Sequence, residues 1–91
     1  MNATATITAA ASEHSDQLIA DSIRLIDATL AAMADKSSDE ARAQRMVRAS
    51  LYAVLEDRHP HVIAALDDWA TCPDGSDART YTDVILETLG L

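Results

Sequence analysis

The chain has 91 residues, 48% of them apolar, and 15 acids against seven bases give a formal net charge of −8. A length of this order supports one hydrophobic core and excludes a second independent one. The negative balance argues against direct contact with a nucleic-acid backbone or an anionic membrane, and two Gly and two Pro leave too few turn positions for a meander of short strands.

Met1 to Ala11 alternates Thr and Ala without charge and reads as a mobile N-terminal arm; residues 12–91 read as a single all-α domain of four helices. From Leu18 onward, Ile19, Ile23, Ile26, Leu30 and Met33 recur at steps of four and three, which winds one apolar stripe along a helix. Leu18, Ser22, Leu25 and Thr29 flank it. Ser12 or Ser15 supplies the N-cap, with Glu13 and Asp16 at the positive end of the helix dipole, so the first helix is expected from Ser12 to Ala34.

Ser37 and Glu40 have the spacing of a capping box and predict a second helix from there to about Asp57, because Pro60 restricts the residue before it. Its stripe is Ala43, Val47, Leu51 and Val54, flanked by Met46, Ser50 and Leu55. Pro60 suits the first turn of a third helix, whose face is Val62, Leu66 and Trp69 with Ile63 and Ala70 beside them. Thr71 to Arg79 collects Pro, Gly, Ser and Asp and reads as the main loop. Thr80 and Asp83 repeat the capping-box spacing before a short last helix carrying Tyr81, Val84, Ile85, Leu86 and Leu89, which Gly90 stops. The expected architecture is two long antiparallel helices with two shorter ones packed across them.

No segment approaches a membrane-spanning length, and the first residues lack the regions of a signal peptide, so a cytoplasmic setting is expected. Cys72, the lone cysteine, suits a reducing compartment.

Charge is uneven. Met1 to Ala34 carries −3, Asp35 to Arg58 is neutral, and His59 to Leu91 carries −5. Within the neutral stretch Arg42, Arg45 and Arg48 form a local basic region, read first as partners of neighbouring acids and second as a partner-binding patch.

Asp57, His59, His61 and Cys72 include metal-ligand types, but their spacing matches no recurring zinc motif, and the helix entrance at Pro60 turns the imidazoles apart. Counting from Asp74, a calcium loop requires glutamate where Ile85 stands, so Asp74 to Asp77 reads as a turn. Asp21-Ser22-Ile23 resembles the Asp-Ser-Leu-like site at which acyl carrier proteins attach phosphopantetheine. The likeness spans three residues without a preceding glycine, and the expectation is a helical serine facing a neighbour. Adjacent acids such as Asp67-Asp68 diverge by about 100° on a helix and do not converge on a substrate. No phosphate loop, nucleophile elbow or dinucleotide fingerprint occurs. Neither catalysis nor a cofactor is expected.

The reading that remains is a small acidic regulatory protein that docks on a partner protein, as an adaptor, inhibitor or antitoxin-like factor. Its candidate contact residues are Asp67, Asp68, Trp69, Asp74, Asp77, Asp83 and Glu87, with Arg42, Arg45 and Arg48 as the basic counterpart. A homodimer through the first-helix stripe is a related expectation, since a four-three repeat also serves a coiled-coil seam. The alternative is a nucleic-acid mimic whose carboxylates occupy a basic groove. A small metal-dependent or cysteine enzyme is the third reading.

Overall fold

The computed structural model describes residues 14–72 and 77–91. The expected arm, Met1 to Ala11, and Asp74 lie outside the described residues. The elements are α1 (Asp16–Ala32), α2 (Asp39–Arg58), α3 (His61–Ala70) and α4 (Tyr81–Leu89), with no strand among the described residues.

The helix ends follow from local sequence: side-chain caps start α1, α2 and α4, Lys36 covers the end of α1, and proline or glycine sets the others described below. Of the two candidate caps for α1, Ser15 is the one used, its Oγ accepting the Leu18 amide at 3.2 Å. The helix stops at Ala32, two residues before the expected end. Lys36, the only lysine, curls back so that its Nζ donates to the Leu30 and Ala31 carbonyls, which lack partners within the helix. The start of α2 is one residue later than the expected capping box. Asp35 Oδ1 takes both the Ser37 amide, at 2.9 Å, and the Ser37 hydroxyl, at 2.7 Å, so Ser37 belongs to a turn. Ser38 caps instead, accepting the Ala41 amide at 3.1 Å.

His59, held non-helical before Pro60, ends α2, and Pro60 leads directly into α3. In α4 the expected capping box is complete, with Thr80 Oγ1 accepting the Asp83 amide and Asp83 Oδ2 accepting the Thr80 amide. Gly90, at φ 71°, closes it. Leu91 N–H reaches the Leu86 carbonyl and Gly90 N–H the Glu87 carbonyl, the bond pair of a Schellman ending.

Asp16 at the start of α1 meets Arg58 and His59 at the end of α2, while Asp27 meets Arg48 about three turns further along. Contacts that advance along one helix and retreat along the other make α1 and α2 antiparallel. The second close pairing is α3 with α4. From Thr82 to Leu91, α4 shifts its contact on α1 only from Asp27 to Arg24, so it lies across α1. The four helices form a compact all-α domain.

The core is aliphatic. Ile19, Ile23, Ile26 and Leu30 of α1 are buried together with Leu51, Val54 and Leu55, Val62 and Leu66, and Val84, Ile85 and Leu86. The α1 stripe is thereby used within the chain, and a coiled-coil seam between two copies would have to displace this core. The expected α2 stripe fails at its first position, because Ala43 is exposed and Ala41 is buried, whereas Val47 packs against the core as expected. The inward line from Leu55 and Leu51 continues in steps of three or four through Arg48 and Gln44 to Ala41. A polar residue takes an inward position there because Arg48 meets a carboxylate on α1.

Ser22 is half-buried inside α1, and its hydroxyl donates to the Leu18 carbonyl at 2.9 Å, so the carrier-like triplet is continuous helix. No helix among the described residues is long and apolar enough to cross a membrane.

Candidate functional site

Arg48, Tyr52 and Glu56 stand four residues apart on α2, and this spacing aligns them in one row. The first turn of α4 brings Tyr81 and Thr82 over that row, and the last turn of α3 brings Trp69 beside Tyr81. Ring centroids of Tyr52 and Tyr81 lie 4.7 Å apart at 48°, and those of Tyr81 and Trp69 lie 6.2 Å apart at 82°. These are all the aromatic residues of the chain, since it has no Phe. None belongs to the fully buried core, and Tyr81 is 36% exposed.

A hydrogen-bonded chain holds the cluster in place. Thr82, 6% exposed, donates its one hydroxyl proton to Asp27 Oδ2 at 2.7 Å. The hydroxyl of Tyr52, bonded to the same Thr82 oxygen, is therefore the donor in that second bond. Asp27 Oδ1 accepts from Arg48 Nη1 at 2.6 Å, and the guanidinium carbon sits 5.8 Å from the centre of the Tyr52 ring. Tyr81 donates to Glu56 Oε1, and Trp69 Nε1 donates to the Arg79 carbonyl at 2.8 Å. Burial pushes the Tyr52 hydroxyl pKa up, and burial followed by the Glu56 bond pushes that of Tyr81 up, so both remain protonated donors.

Two hollows open on this face. One of about 570 Å³ is lined by Asp27, Arg48, Tyr52 and the residues from Thr80 to Thr82. The other, about 340 Å³, lies between Trp69, Tyr81, Glu56 and the α3 residues Ile63, Leu66 and Asp67. Tyr81 is common to both.

The sequence-derived candidates separate into several environments. Trp69 and Asp67 line the smaller hollow, and Arg48 lines the larger. Asp68 is exposed on α3. Asp83 is occupied by its own helix cap. Asp77 accepts from Arg79, which pulls its carboxyl pKa down to about 2, and Glu87 meets the same guanidinium at 3.0 Å. Arg45 donates to the Lys36 carbonyl in the α1–α2 connection, and Arg42 is exposed near the start of α2. Asp74 is outside the described residues. Of the three arginines only Arg48 joins the aromatic face, as the partner of an α1 acid.

Among the remaining chemistry-bearing residues, Pro60 does not turn the two imidazoles apart as expected: the His59 and His61 rings meet edge to face, centroids 5.9 Å apart at 78°. His59 Nε2 bonds Asp16 Oδ2 at 2.7 Å, with Arg58 on the other carboxylate oxygen at 2.8 Å. Cys72 Sγ donates to the Asp68 carbonyl at 3.4 Å. No group of three or more His, Cys, Asp or Glu side chains is gathered for a metal ion among the described residues.

Comparison with protein-family models, with curated proteins and with solved structures finds no match.

Sequence reading singled out Trp69 and Arg48 but missed Tyr52, Glu56, Tyr81 and Thr82. The i, i+4, i+8 row on α2 was the available signal, because such a row of Arg, Tyr and Glu is too polar for a core edge and too aromatic for an ordinary solvated face.

Proposed function

We propose that the protein acts by docking on a partner protein through the face formed by Arg48, Tyr52, Glu56, Trp69 and Tyr81. One observation carries this reading: all three aromatic side chains adjoin one another at the edge of an aliphatic core, Tyr52 and Trp69 half-buried against it and Tyr81 exposed. Aromatic rings contribute strongly to core packing, so their use at the periphery of a small domain forgoes burial energy. Tyr, Trp and Arg are also the side chains that most often anchor protein interfaces, because they combine a large apolar area with a directed polar group and few rotatable bonds. Rings already locked by hydrogen bonds lose little further freedom on association.

The role is that of a regulatory adaptor or inhibitor rather than an enzyme. The nucleic-acid mimic gains less support from the same geometry. Asp77, Asp83 and Glu87 are engaged within the chain, so few of the C-terminal carboxylates are free to imitate a phosphate backbone.

Affinity capture from the source cells tests the proposal when wild type is run beside Tyr81→Ala and a remote surface control, Arg42→Ala. A partner retained by wild type and by the control but lost by Tyr81→Ala, with helicity unchanged by circular dichroism, is the expected result. A partner retained equally by all three overturns it.

A further inference from the structure

We infer that the smaller hollow is a receptor for an arginine side chain of the docked partner; this rests on the docking reading and names the chemistry of its anchor. The hollow combines three kinds of wall. Ile63, Leu66 and Asp67 lie at i, i+3 and i+4 and so share one face of α3, and Ile63 there is 49% exposed. Trp69 and Tyr81, set edge to face at 82°, form an aromatic corner. Glu56 and Asp67 bring carboxylates to the rim.

Glu56 is oriented by the Tyr81 hydroxyl on its Oε1, while no hydrogen bond or ion pair involves its Oε2 or the Asp67 side chain among the described residues. Acceptors are thus presented without donors. A purely apolar occupant would cover Ile63 and the rings but strip water from two carboxylates with nothing in return. An anion would meet like charge. A long cationic side chain satisfies all three walls at once, with its stem along Ile63 and Leu66, its head against ring faces, and its donors on the carboxylates.

Arginine fits better than lysine because its planar guanidinium stacks on a ring while presenting several donors to carboxylates. The volume, about 340 Å³, is at the small end of ligand pockets and suits one side chain. The net charge of −8, with −5 in the stretch from His59 onward, draws a basic segment toward this side.

The test uses the full chain, with Trp69 fluorescence as a reporter that no other residue shares. The probes are an arginine-containing peptide, acetyl-Ala-Arg-Ala-Arg-Ala-amide, the same peptide with citrulline as the neutral isostere, and the polyamine spermidine. The expected result is a saturable change with the arginine peptide and none with citrulline. The double variant Glu56→Gln/Asp67→Asn should weaken binding by about fivefold or more, whereas Asp68→Asn, on the same helix outside the hollow, should not. A response to citrulline equal to that of arginine, equal weakening by Asp68→Asn, stronger binding of spermidine than of the peptide, or no saturable response each overturns the inference. Loss of arginine binding alongside a partner still captured through Tyr81 removes this inference and leaves the docking reading in place. Partner capture indifferent to Tyr81 removes the docking reading itself.

Discussion

Thr82 and Tyr52 illustrate how a single hydroxyl can organise a surface. Thr82 stands between a tyrosine that donates to it and a carboxylate that accepts from it. Tyr52→Phe removes one bond and leaves Thr82 still donating to Asp27, so a loss of about 0.5–1.5 kcal/mol is expected. Thr82→Val removes both bonds and strands a half-buried hydroxyl and a carboxylate oxygen, so it should cost more, about 1–3 kcal/mol. Urea unfolding of the two variants checks the order; equal losses would mean that Thr82 does not bridge. Neither residue's role was legible in the sequence, because the bridge joins α1, α2 and α4 across 30 and 55 positions. Trp69 was legible as a packing residue because it continues the stripe of Val62 and Leu66, and it does pack against the core.

At the scale of elements, the order and number of helices, the Thr80–Asp83 box and the Gly90 stop were all readable, since each depends on neighbours within one turn. The failures have equally local causes. The start of α2 moved by one residue because Asp35 competes for Ser37. Ser38→Ala should therefore destabilise by about 1 kcal/mol while Ser37→Ala changes little; thermal melts showing the reverse would restore the earlier box. The start of the α2 stripe misled at Ala43 because apolar residues were taken to mark the inward side, whereas Arg48 points inward to Asp27.

The ends of α1 and α2 are tied by Asp16, whose pKa is lowered chiefly by the hydrogen bond from Arg58 and then by that from His59. Because the folded state holds this carboxylate ionised to lower pH than the unfolded chain does, its contribution is present above the usual carboxylate pKa of about 3.9 and is lost as pH falls through and below it. Water reaches about a third of the Asp16 side chain and screens the pairs, so Asp16→Asn should cost about 0.5–1 kcal/mol at neutral pH. The difference from wild type should shrink in acid, which denaturant unfolding at several pH values measures; a pH-independent gap would contradict the linkage.

For the whole molecule, the helical pairs leave a seam between α2 and the start of α4 that side chains span and only partly fill, and both hollows open there. That seam depends on how two hairpins meet, a relation no pattern within one helix encodes, which is why the acidic surface was expected to carry the contact and the aromatic face was not. Several of the acids proved to be internal partners, while Tyr52 and Trp69 line the edge of the core and Tyr81 reaches the surface. The central claim is that this face, anchored by Tyr81, binds the partner. Titration calorimetry of the captured partner against wild type, Tyr81→Ala and the remote variant Leu25→Ala tests it most directly. Tyr81→Ala should weaken binding by about 2 kcal/mol, roughly thirtyfold, with Leu25→Ala matching wild type; equal affinities for all three would contradict it.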